Sequence, residues 1–207
     1  MCLVREVTIR PAGAMDVVRI AEIIHGEPSP ETVGLVGDRR LASAFGEGLV
    51  ELDHIPNSAK PTVVAEIDGR VAAVLQYTIG EGMNLTLAHL RLALRLAGLA
   101  RLVWSLPRLL ARRRVDLPPP SGAFYVAELH VDPALRGQGI GGRLLDWADD
   151  EARRLGHRRL ALTTYATNQA RRLYERHGYR VTNNRDDATY EKYTGTRGRI
   201  LMEKELA

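Results

Sequence analysis

Residues 136–142 read Arg136-Gly-Gln-Gly-Ile-Gly-Gly142, and the way this stretch is parsed decides the fold. Counted from Gly137, it satisfies Gly-x-Gly-x-x-Gly, a dinucleotide-binding fingerprint. Counted from Arg136, it is Arg-x-x-Gly-x-Gly, a pyrophosphate cradle of another kind. Either parsing lays phosphates on backbone amides, and a glycine-rich strand-to-helix turn without a ligand also has this composition. The glycines alone do not choose.

The flanks argue against a dinucleotide fold. In that motif the strand runs almost directly into the first glycine, but here Asp132-Pro-Ala-Leu-Arg136 intervenes. An acidic residue roughly 20 positions on should hold the ribose hydroxyls. That place is taken by Leu162-Thr-Thr-Tyr165, and some 135 residues precede a fingerprint that normally opens its domain. The parsing from Arg136 makes physical sense. Gly137, Gly139 and Gly141 admit close approach and positive φ. A helix starting near Ile140 offers unpaired N–H groups and the positive end of its dipole to a pyrophosphate.

Working outward, Val7-Thr-Ile-Arg10 alternates as a strand, and Asp16 is placed to cap a helix carrying Val17, Ile20, Ala21 and Ile24. A second helix follows Asp38, with Leu41, Phe45 and Leu49 aligned. Pro61 to Ile67, the turn Asp68-Gly69 and Val71 to Ile79 form a hairpin. From Asn84 to Arg114 the chain is rich in Leu and Arg at helical spacing, interrupted by Gly98 and Pro107, with Pro118-Pro-Pro120 as its exit. Ala123 to Val131 is a strand leading to the glycines. The helix after them runs to Gly156, Arg159 to Thr164 is a strand, and Gln169 to Arg176 is a helix stopped by Gly178. Tyr179 to Val181 and Arg199 to Glu205 close the pattern.

Bulk properties narrow the class. The 207 residues are 45% hydrophobic and 26% charged, as in ordinary globular proteins. One cysteine, Cys2, excludes an internal disulfide framework and a Cys-rich zinc site. No segment reads as a signal peptide or clean membrane span, so the cytoplasm is expected. The net charge of +4 is uneven. Between Gly82 and Asp116, seven arginines face one aspartate, a balance of +6 that leaves −2 for the rest. Confined to one segment and without an aromatic stacking series, this charge does not read as a nucleic-acid site. The histidines at 25, 54, 89, 157 and 177 show no metal spacing, and Asp149, Asp150 and Glu151 read as a solvated helix face.

A second motif stands downstream: Asn168-Gln-Ala-Arg-Arg-Leu-Tyr174-Glu-Arg-His-Gly178-Tyr179. With the strand Glu128-Leu-His-Val131 and the Arg136 cradle, it closely resembles the GNAT superfamily of N-acetyltransferases. The resemblance covers most of the chain outside residues 82–122. It implies an α/β fold of the α+β kind: a mixed, mostly antiparallel sheet of about six to seven strands, splayed between the fourth and fifth and flanked by helices. Residues 1–207 would form a single domain.

The same resemblance implies acetyl-CoA as co-substrate and no metal. Its pantetheine arm would pair with the backbone of Leu129, His130 and Val131. Its pyrophosphate would sit on Arg136, Gly137, Gln138, Gly139, Ile140, Gly141 and Gly142. Asn168 would contact the cofactor, and Arg171 could reach a phosphate or simply be solvated. Tyr174 matches the family's general acid, with a core tyrosine as its other reading. Glu128 resembles the carboxylate with which some members deprotonate the amine, directly or through water. The function implied is acetyl transfer to a primary amine of an unidentified acceptor, by direct attack in a ternary complex. The acceptor is a small molecule or a peptide or protein amine. A non-catalytic acyl-CoA-binding module is the alternative.

The chain departs from the family between the third and fourth strands, where a helical insertion at about 82–122 replaces a short turn. Leu92, Leu96, Leu99 and Val103 form an apolar stripe with Arg91, Arg95 and Arg101 mostly across from it. A spanning helix is unfavourable, because each arginine near the bilayer centre costs roughly 2.5–3.5 kcal/mol. Three readings stay open: a lid beside the acceptor site, a homodimer surface, and a membrane-surface helix. The stripe is expected to bury itself against the domain or a second subunit.

Overall fold

A computed structural model describes residues 6–53, 61–79 and 87–206. Cys2, His54 and residues 82–86 of the expected insertion lie outside that range, as do the side chains of Leu49 and His89. Seven strands form one sheet: β1 (Thr8–Pro11), β2 (Thr62–Ile67), β3 (Arg70–Ile79), β4 (Phe124–Val131), β5 (Arg159–Tyr165), β6 (Arg180–Asp186) and β7 (Gly198–Glu205). Their spatial order is β1-β2-β3-β4-β5-β7-β6. Only β4 and β5 run parallel; the other neighbours are antiparallel. The mixed sheet expected from the sequence is the one observed.

The splay is visible in the registers. Phe124, Tyr125 and Val126 pair with Leu160, Ala161 and Leu162, and there the β4–β5 ladder stops. Beyond it, β4 continues beside β3 as far as Val131, and β5 continues beside β7 as far as Tyr165. A bulge marks the divergence: Val126 faces Tyr77 and Glu128 faces Gln76, so Ala127 has no opposite number. An extra residue bends its strand and re-aims the side chains after it. The wedge opens there.

Helices cover both faces. On one side lies α5 (Ile140–Arg154), whose Ile140, Leu144, Leu145, Ala148 and Ala152 recur at helical spacing and are buried with Phe124, Val126, Leu160 and Leu162. Truncating Leu144 there to alanine would cost about 2–5 kcal/mol. Next to it is α6 (Arg171–Arg176). On the other side α1 (Val17–His25) packs Ile20, Ala21, Ile23 and Ile24 onto Val64, Val71 and Val74.

Two short helices escaped the sequence pattern. α2 (Pro30–Val36) has its N-terminus at Ser29, whose hydroxyl accepts from the Thr32 amide, with Pro30 in the first turn. α7 (Ala188–Thr194) is capped likewise by Asp187. Both caps stood in the sequence, but each helix is too short for a periodic signal. Asp16 does not cap α1 as expected; its carboxylate takes the Gly13 amide and the Arg10 guanidinium.

α3 (Arg39–Asp53) packs against α1 and, within the insertion, against α4 (Leu87–Arg114). Gly98 adopts φ 71° and ψ 165°, so α4 is two helices joined at a kink. That break explains why the expected stripe does not bury. Leu92 and Leu96 are half-buried, Leu92 against Gly48 of α3, whereas Leu99 and Val103 lie beyond the kink and face solvent. Pro107 does not break the second half. No helix among the described residues is long and apolar enough to cross a membrane.

Candidate active site

The cradle is built at the end of β4. Asp132 accepts the Ala134 amide and Pro133–Leu135 make one tight turn, which carries the chain to Arg136. Gly137 and Gly139 both sit in the left-handed region, at φ 79° and 80°, where a side chain costs about 1–2 kcal/mol. A Cβ on either would enter open space. Gly139 is the N-cap of α5, so the first amides of that helix point into the same space. The arrangement suits a pyrophosphate: free donors, a positive dipole end, and no side chain in the way.

Not every glycine serves that space. A Cβ on Gly141 would press on the Leu173 side chain at 3.0 Å, and one on Gly142 on His177 at 3.1 Å. These two are buried and let α6 lie close on α5. Ile140 sends its side chain into the core, leaving its backbone for a ligand. Gln138 is exposed. Arg136 folds back, its Nε donating to the Val131 carbonyl at 3.2 Å and its Nη1 lying 3.3 Å from Glu27.

Along β4, Leu129 and Val131 pack against the α5 core, so Glu128 and His130 project from the opposite face. Their side chains meet, with His130 Nε2 2.9 Å from Glu128 Oε2. On the side where β5 has diverged, the backbone from Ala127 to Val131 has no β5 strand paired to it.

Tyr174, on α6, is buried among the α5-side residues and stands edge-on to Tyr179. Burial holds its hydroxyl well above the ordinary tyrosine range, and the Glu128 carboxylate and Tyr165 add to that. No residue described hydrogen-bonds this hydroxyl. Tyr174 thus belongs to one face and Glu128 to the other, and they sense each other where β4 has left β5. A tyrosine hydroxyl and a carboxylate flank one gap.

Asn168 is committed locally. Its carbonyl oxygen accepts the Ala170 amide at 2.9 Å in the turn ahead of α6, and its amide donates to Thr164 at 2.7 Å. These bonds position α6, and with it Tyr174. Arg171 pairs with Glu175 at 2.8 Å on the wall of an open cleft that also includes Gln169 and Arg172.

Sequence reading missed several neighbours. His25, at the end of α1, packs on Gly46 of α3 and interacts with both Glu128 and His130. Burial is the main cause that lowers its pKa to about 4, so it is neutral at physiological pH. Behind the site, the buried Glu31 accepts from Tyr190 at 2.6 Å and from Arg199 at 2.6 and 2.8 Å, and lies 2.9 Å from Arg112. Chain separations of up to 168 residues hid this cluster from any local pattern. Asp149 is likewise not a solvated residue: it is buried and paired with Lys204, and Glu151 is bound by Arg154.

A sheet splayed between two parallel strands, with a glycine-rich turn at the head of α5 and a tyrosine and a glutamate across the wedge, is the frame of the candidate site. The acetyltransferase (GNAT) family model matches residues 37–179. The chain therefore belongs to that family, which places it among the acyltransferases. It is 46% identical over 59 residues to an aminoalkylphosphonate N-acetyltransferase of Salmonella typhimurium, a match spanning 27% of this chain and 36% of that one. Among solved structures it resembles the PaiA N-acetyltransferase of Thermoplasma acidophilum in complex with coenzyme A, at TM-score 0.59 and 14% identity over 97% and 99% of the two chains. It also resembles a GNAT family acetyltransferase of Elizabethkingia anophelis with acetyl-CoA bound, at TM-score 0.52 and 16% identity over 97% and 98%.

Proposed function

We propose that this chain is an N-acetyltransferase that moves the acetyl group of acetyl-CoA to a primary amine by direct attack within a ternary complex. The carrying observation is the pair Tyr174 and Glu128, held on opposite sides of the open wedge. Transfer forms a C–N bond as the C–S bond breaks, so one proton must leave the amine and one must reach the sulfur. Glu128 accepts the first, with His130 fixing the carboxylate through the 2.9 Å contact. Tyr174, protonated because it is buried, donates the second to the departing thiolate. The backbone of Leu129, His130 and Val131 pairs with the pantetheine arm, and the N–H near Val131 polarises the thioester carbonyl. Gly137 to Gly142 hold the pyrophosphate, and Arg171 supplies charge from the cleft wall.

The relative matched over 59 residues is named for an aminoalkylphosphonate. Amines that also carry an anion are therefore the first acceptors to assay. A thiol-release assay across an amine panel, run beside calorimetry with acetyl-CoA, tests the proposal. Turnover supports it. Micromolar binding without turnover on any amine would make the chain an acyl-CoA-binding module instead.

A further inference from the structure

The second half of α4 is built inside out. Its inner face is cationic: Arg101 donates to the Val36 carbonyl at 3.4 Å, Arg108 stacks between Trp104 (3.3 Å from the ring centre) and Tyr193 (4.5 Å), and Arg112 pairs with Glu31. Trp104 itself covers Gly37 at the end of α2. The outer face is apolar. Leu99, Val103, Leu106 and Leu110, spaced 4, 3 and 4 residues apart, are 70%, 61%, 55% and 53% exposed, and Leu109 widens the stripe at 48%. Such spacing aligns them along one side of the helix. From Leu99 to Leu110 this is a strip about 18 Å long. Soluble domains do not leave a continuous apolar strip facing water without a use for it.

We propose that this face docks on an anionic phospholipid bilayer, independently of the catalytic reading above. Charge selects the occupant. Arg91, Arg95 and Arg113 are exposed and make no ion pair among the described residues, and Arg114 reaches only Asp187 at 3.5 Å. Between Leu87 and Val115 the chain has no acidic residue at all. A helix lying in the interface with leucines in the acyl boundary and arginines at headgroup level fits this distribution. Each such cation adds about fivefold to binding at an anionic surface. A second copy fits worse. A two-fold pairing along the strip sets Arg113 against Arg113 if the helices run parallel, and an antiparallel pair brings together two helices with no acidic residue to offset their arginines.

Flotation of the full chain with vesicles tests the proposal. Phosphatidylcholine–phosphatidylglycerol vesicles should carry the protein, with at least about tenfold weaker partition onto phosphatidylcholine alone or in about 0.5 M salt. Leu106→Glu with Leu110→Glu should abolish partition. Arg95→Glu with Arg113→Glu should remove the preference for anionic lipid. Both pairs sit on the surface, and thermal melts of the variants check that folding is intact; Leu106→Ser replaces the first pair should that variant unfold. Equal partition onto both vesicle types, or none onto either, overturns the proposal. So does a wild-type dimer in sedimentation that Leu106→Glu converts to a folded monomer, because the strip would then be covered by a second copy.

Discussion

Three residues around the wedge carry separable predictions. Tyr174→Phe keeps the ring in its packing and removes only the hydroxyl, so kcat should fall by about 10²–10⁴ while acetyl-CoA affinity by calorimetry stays put. An unchanged kcat under conditions where chemistry limits the rate would leave Tyr174 as a packing residue. Glu128→Gln should lower kcat/KM and erase the acidic limb of its pH profile. A fall with that limb intact would assign Glu128 to positioning. His25 makes a stability claim. Its folded pKa of about 4 lies below the ordinary 6.5, so the unfolded chain binds the extra proton between those values. The contribution is complete above pH 6.5 and is lost as pH falls toward 4, on the order of 3 kcal/mol at the acid end. His25→Gln should flatten the decline in melting temperature over that interval. As candidates, these residues were unequally legible. Tyr174 and Glu128 announced themselves by place within a motif, whereas His25 looked like any helix-terminal histidine, because what makes it special is a neighbouring strand about a hundred residues on.

At the scale of elements, the turn into α5 separates two uses of glycine that its sequence merges. Gly139→Ala forces a side chain into a left-handed N-cap, costing about 1–2 kcal/mol, and puts a methyl into the open space of the cradle. Acetyl-CoA affinity should drop tenfold or more. Gly142→Ala meets His177 instead, so it should lower the melting temperature with a smaller change in affinity. The reverse ranking in calorimetry would move the pyrophosphate elsewhere. RGQGIGG told the position of the cradle but not which glycines face it, since that depends on how α6 lies across α5. The insertion was legible as helical and basic, yet its orientation was not. A wheel drawn through Gly98 assumes continuous helix, and the kink there rotates everything after it.

Across the whole molecule, one carboxylate ties distant parts together. Glu31 joins α2 to α4 through Arg112, to α7 through Tyr190 and to β7 through Arg199. Its removal strands the Arg199 guanidinium, mostly hidden from water, and leaves Arg112 with Asp116 alone. Glu31→Gln should therefore cost about 3–5 kcal/mol, read as a shift in the denaturant midpoint. A shift below 1 kcal/mol would mean that the arginines find water on their own. The strands and the splay between the fourth and fifth were largely legible, because hairpin turns, alternation and the family likeness all pointed to them. The ion cluster was not: local pattern carries no information about which Glu a given Arg will meet 168 residues away.

The β4–β5 ladder also has a mechanical side. Strands β1 to β4 and strands β5 to β7 are two half-sheets joined by three residue pairs. The first strand belongs to one half and the last to the other. A force applied across the two ends of the chain is thus borne at the seam, the weakest rank of hydrogen bonds in its path. A molecule lodged in the wedge bridges both halves and turns an open notch into a keyed joint, so rupture force in an optical trap should climb when acetyl-CoA is present.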